Sequence, residues 1–132
     1  MKKTTLILLM LSIANAEELK MQIYKPVTGS CPASWITEIE TTIAKPEIMT
    51  LVDVKGLKNN LGVPKELYSC NTSILGDYIF EGNVPPEAIK KFMNEKPTGA
   101  IGLSLPASQN DEAVKKVYII YADKTYKLYG TY

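Results

Sequence analysis

Two sulfurs carry most of the chemistry this chain can offer. Cys31 and Cys70 are the only cysteines among its 132 residues, and there is no histidine. Without an imidazole, neither a Ser-His-Asp triad nor a Cys-His nucleophile pair can be assembled. Two thiols can still pair with each other, exchange with another disulfide or hold a thiophilic metal ion. Cys31 stands before Pro32, and proline suits the first position of a helix. As the N-cap of such a helix, Cys31 would face the positive end of the dipole, where a thiolate is favoured and the thiol pKa falls. That would make it the better nucleophile and the better ligand of the two. Asp77 and Glu81 read as solvated residues flanking a turn, and Gly99 and Gly102 do not make a phosphate loop.

The surrounding elements decide whether the two sulfurs meet. From Glu17 to Pro26 the apolar residues Leu19, Met21 and Ile23 alternate, which predicts a strand stopped by proline. Trp35, Ile36, Ile39 and Ile43 recur at helical spacing and predict a helix opening at Pro32 and ending before Pro46. A second strand is expected over Glu47–Val54, then a short helical turn closed by Gly62 and Pro64. Gly76-Asp77 divides a tight hairpin of Ser73–Leu75 and Tyr78–Glu81. Ile89, Phe92 and Met93 share a face of a further helix bounded by Pro85-Pro86 and Pro97. Gly99 to Asp111 reads as loop. A last hairpin pairs Val117–Tyr121 with Thr125–Tyr129 across Asp123-Lys124. Its first strand is so apolar that both faces should be covered, and its tyrosines suit cross-strand pairs.

This order, β-α-β-(α)-β-β-α with a terminal hairpin, predicts an α/β fold: a thioredoxin-like βαβ-ββα domain with an additional C-terminal β-hairpin. A βαβ crossover lays its two strands parallel in one sheet. Cys31 then ends the loop after the first strand, and Cys70 lies just before the third. Strand-end loops at one edge of such a sheet converge, so the expected partner of Cys70 is Cys31.

The start of the chain bears on the redox question. Lys2 and Lys3 precede the apolar run Leu6–Ile13, and Ala14-Asn15-Ala16 has the form of a cleavage site, as in a bacterial signal peptide. The run is far shorter than the roughly 20 residues a membrane span needs. We therefore expect a signal peptide at residues 1–16 and one domain at 17–132, exported to the periplasm with no stable membrane insertion. Two thiols in an oxidising compartment tend to pair. The full chain has a formal net charge of +1 with no arginine, and loss of Lys2 and Lys3 leaves it slightly acidic. It lacks the basic, arginine-bearing surface expected of a nucleic-acid partner.

The segments from Ile23 to Trp35 and from Leu61 to Pro97 resemble domain-of-unknown-function family 411, small exported proteins labelled metal-binding and often linked to copper. Leu61-Gly62-Val63-Pro64, Leu67, Ser69-Cys70, Thr72, Gly76, Tyr78, Glu81-Gly82 and Val84-Pro85 fall where the family pattern has them. Tyr24, Lys25, Thr28 and Trp35 keep the frame of the family's first motif, Tyr-Lys-x-x-Thr-Cys-Gly-Cys-Cys-x-x-Trp. Within that frame Gly29 and Pro32 replace two of its three cysteines, leaving Cys31. Asn71 and Asn83 stand where the family has histidines. An amide nitrogen has no available lone pair and an amide oxygen is hard, whereas Cu(I) prefers thiolate and thioether donors.

Three functions follow as expectations. The resemblance implies binding or handling of a thiophilic metal ion, most of all Cu(I), at a degenerate site whose ligands are Cys31 and Cys70. The second is a non-catalytic structural or partner-binding domain with a Cys31–Cys70 disulfide, acting with an unidentified periplasmic protein. The third is a thiol–disulfide oxidoreductase. Cys31-Pro32-Ala33-Ser34 is similar to a glutaredoxin site lacking its second cysteine, with Cys31 attacking and Cys70 resolving. No catalytic residue is assigned, and the chain is not read primarily as an enzyme.

Overall fold

The computed structural model describes residues 19–28 and 31–132. The expected signal peptide at 1–16 lies outside them, as does Gly29. Seven strands form one sheet in the order β2-β1-β3-β4-β5-β6-β7. Strand β1, Lys20–Pro26, buries Met21 and Ile23 at alternate positions, the period of two read from the sequence. Helix α1, Ala33–Thr42, turns Trp35 and Ile39 to the core and leads into β2, Lys45–Leu51, which lies parallel to β1.

Three boundaries here differ from expectation. Pro32 has an extended ψ of 122° and is itself the N-cap, so Cys31 lies one residue before the cap. The second strand starts at Lys45 and contains Pro46, which a strand tolerates because β2 is the edge of the sheet. It stops short of Val54 because the Asp53 side chain accepts the Gly56 N–H at 2.9 Å and caps helix α2, Val54–Leu61. Gly62, at φ 91°, ends that helix.

The central hairpin is as expected. Strand β3, Thr72–Leu75, pairs antiparallel with β4, Tyr78–Glu81, and Leu75 faces Tyr78 across Gly76-Asp77. Helix α3, Pro86–Glu95, follows with Ala88, Ile89 and Phe92 buried. The segment expected to be loop contains strand β5, Ala100–Ser104, parallel to β4 and antiparallel to β6. Strands β6, Lys116–Tyr121, and β7, Tyr126–Thr131, make the terminal hairpin.

The sheet is covered on both faces. Trp35 and Ile39 of α1 and Ala88, Ile89 and Phe92 of α3 pack with Met21, Ile23, Phe80, Leu103 and Ile119 in the larger core. Val63 and Leu67, which follow α2, pack with Ile79 and Ile120 in a second cluster. Ile119 and Ile120 thus serve opposite faces, which explains the unbroken apolar run of β6. Among the described residues no helix is long and apolar enough to cross a membrane.

Candidate thiol and metal site

Tyr24, near the end of β1, is the register partner of Thr72, the first residue of β3. The chain leaving β1 and the chain entering β3 therefore lie at the same end of the strands. Cys31 follows the first and Cys70 precedes the second. They form a disulfide, with Cα atoms 5.8 Å apart, inside the usual range for a bridge. Cys31 is 8% exposed and Cys70 is half-buried. No cysteine among the described residues is free. The thiolate activation expected of Cys31 as an N-cap does not operate here, because Pro32 caps the helix and the sulfur is bonded.

Trp35, in the first turn of α1, ties this end of the helix to the segment after β4. Its indole Nε1–H donates to the Val84 carbonyl at 2.8 Å in a buried contact. Pro32, Trp35, Asn83, Pro85 and Lys115 are among the walls of a cleft of about 380 Å³ at the start of α1.

Below Cys70, on the α2 side of the sheet, lies a charged pair. Glu81 has no exposed surface and Lys58 is 3% exposed. Lys58 Nζ donates to Glu81 Oε2 and to Thr72 Oγ1, each at 2.7 Å. The Thr72 hydroxyl donates to Glu81 Oε1 at 2.5 Å, and the Ser69 N–H donates to Oε2 at 2.8 Å. Burial pushes the Glu81 carboxyl above its ordinary value, opposed by the Lys58 charge and the donated hydrogen bonds. Burial pushes Lys58 down, opposed by Glu81. The expectation that Glu81 is a solvated turn residue is corrected; Asp77 is exposed as expected. Two signals pointed to this network. Thr72 and Glu81 occupy family positions, and Lys58 shares a helical face with Val54 and Leu61 rather than with the polar residues of α2.

The two asparagines differ in burial: Asn71 is buried and Asn83 half-buried. Asn71 is 2% exposed. Neither its Oδ1 nor its Nδ2 has a hydrogen-bond partner, and the buried Asn83 Oδ1 also lacks one. Among the described residues no group of three or more His, Cys, Asp or Glu side chains is placed to hold a metal ion. While the sulfurs are bonded to each other, the site fits no metal ion. Reduction would free two thiolates at one place and nothing more.

No curated protein matches the chain. Two solved structures, both named copper resistance protein copG, Form 1 and Form 2, are similar at 22% and 21% identity with a TM-score of 0.74 each. Each match covers 88% of this chain, with 98% and 99% of the other chain covered. At such identities the likeness is one of fold, here a mixed α/β fold shared with copG. Residues 67–109 match the family model described as "Protein of unknown function, DUF411", a range that includes Cys70, Asn71, Glu81 and Asn83 but not Cys31. The family resemblance read from the sequence is thus shown over residues 67–109, the block in which Cys70 and its supporting carboxylate lie.

Proposed function

We propose that this chain is an exported protein whose residues 17–132 work in the periplasm as a thioredoxin-like domain handling one Cu(I) ion as cargo through Cys31 and Cys70. The observation that carries the reading is that the chain's two cysteine sulfurs share a single place. The first four strands, in the order β2-β1-β3-β4 with β1 parallel to β2 and antiparallel to β3, support the thioredoxin-like description. The names of the similar structures, copper resistance protein copG, favour copper over other thiophilic metals.

The chemistry begins with a dithiol reductant, which gives two electrons and two protons to the bridge and leaves as its own disulfide. Cu(I) then displaces both thiol protons and is held between two soft thiolates. The chain's own part is to bring the two sulfurs together and to bury Cys31. The surrounding amides add little as ligands, so capacity is limited to a single ion.

The formed bridge favours a second reading, a non-catalytic partner-binding domain stapled by Cys31–Cys70. The oxidoreductase reading is weaker, since an attacking sulfur needs access and Cys31 is 8% exposed. Titration against a competing Cu(I) chelator separates the first two. Reduced protein is expected to take up at most one ion, and the Cys31→Ser, Cys70→Ser double variant none. Equal uptake by protein and variant ends the copper reading. No uptake by reduced protein, together with a periplasmic product two hydrogens light and closed to alkylation, supports the staple.

A further inference from the structure

Cys70 sits in a stretch whose neighbours are tied to the end of β4. Ser69 N–H donates to Glu81 Oε2 at 2.8 Å, and the Thr72 hydroxyl donates to Oε1 at 2.5 Å. The next residue of the same strand end, Gly82, donates its N–H to the Asn71 carbonyl at 2.8 Å. Gly82 has φ 75°, and a Cβ there would fall 2.7 Å from Ser69 Cβ, so the Ser69 side chain lies against this backbone as only glycine permits. Lys58 Nζ reaches both Glu81 and Thr72 at 2.7 Å and supplies the charge that lets a carboxylate stand there. Residues 69, 71 and 72 are therefore all held, leaving Cys70 between fixed points.

We infer that Glu81, backed by Lys58, is a positioning residue that holds Cys70 against Cys31 and thereby sets how readily the Cys31–Cys70 bridge opens. The inference stands on the bridge itself, whether or not the reduced pair takes a metal ion. A bridge forms only when the two Cα atoms lie within a narrow range of separations. A clamp on one cysteine raises the share of time that the reduced thiols spend at bonding distance. That favours the closed form in its equilibrium with a dithiol. The clamp acts through hydrogen bonds from both sides of Cys70, so weakening either arm should shift that equilibrium in one direction, toward the thiols.

The test equilibrates the purified protein with reduced and oxidised dithiothreitol and counts free thiols by alkylation and mass. Opening breaks the S–S bond; dithiothreitol supplies two electrons and two protons and closes to its cyclic disulfide. Glu81→Gln is expected to move the equilibrium toward the dithiol by about tenfold, equivalent to a bridge potential about 30 mV less negative. Thr72→Val, which removes one arm and adds no charge imbalance, is expected to shift it the same way by about threefold. A merely structural pair would lower the unfolding midpoints of the oxidised and reduced forms alike and leave this equilibrium unmoved. Equilibria within about twofold of the parent in both variants would overturn the inference. Should Glu81→Gln fail to fold, the Thr72→Val result decides by itself. Chelator titration of the same variants is a separate readout: unaltered Cu(I) uptake with a shifted bridge keeps this inference and the copper reading apart.

Discussion

Glu81 and Tyr129 show how burial changes side chains that look ordinary in a sequence. Glu81 ends a short strand that is otherwise apolar, next to a loop, a place where a carboxylate is usually wet. Here three donors converge on it, and its cation comes from a helix 23 positions away. Such a pair is no guarantee of net stability, because desolvation offsets much of the attraction; its value lies in geometry. Tyr129 is half-buried with its ring against Phe92, its hydroxyl donating to Glu95 at 3.2 Å. Burial first, and then the Glu95 hydrogen bond and charge, push its pKa well above the ordinary 10.0. A raised value means that its contribution to stability is whole below pH 10 and is lost as pH rises through the folded-state value. In an alkaline ultraviolet titration we expect a group of phenols to ionise late, and Tyr129→Phe to remove one of them. A variant titrating with the same late amplitude as the parent would refute the assignment. The tyrosines were legible as sheet residues; the Glu95 contact was not, since it joins α3 to β7.

At the level of elements, the hidden feature is β5. Pro106, Ser108, Gln109 and Asn110 made residues 99–111 read as loop, yet Ala100–Ser104 lies between β4 and β6. Gly102 is what lets the strand lie there. A Cβ there would come within bonding distance of the Ile79 carbonyl oxygen, and the pairing with β6 shifts register between Ala100 and Gly102. Glycine marks close backbone approach inside a strand as well as a turn, and local pattern cannot tell the two apart. Gly102→Ala should therefore cost more than about 3 kcal/mol, beyond ordinary overpacking. A urea midpoint equal to the parent's would contradict the close approach. Pro46 misled in the opposite sense. It marked the end of a helix correctly but sits inside β2, because an edge strand has no neighbour on one side to miss its N–H.

For the whole molecule, the decisive fact is that β1 lies between β2 and β3, which puts two cysteines separated by 39 positions at one end of the strands. Closing a loop of that length restricts the unfolded chain, and the entropic model assigns the bridge about 4 kcal/mol. Reduction is expected to lower the unfolding free energy by that order in paired denaturation curves with and without reductant. A difference below about 1 kcal/mol would mean that the unfolded chain is not appreciably restrained by the bridge. By itself the sequence determined the helices and hairpins, the covered faces of β6 and the pairing of Cys31 with Cys70. Those follow from local periodicity, proline and glycine punctuation, and a strand order that admits few layouts. The tertiary structure alone decided that Glu81 is dry, that Lys58 reaches it, that β5 fills the sheet and that Pro32 rather than Cys31 caps the helix. Each of those depends on which distant backbone comes within a few ångströms, and neither periodicity nor composition carries that distance.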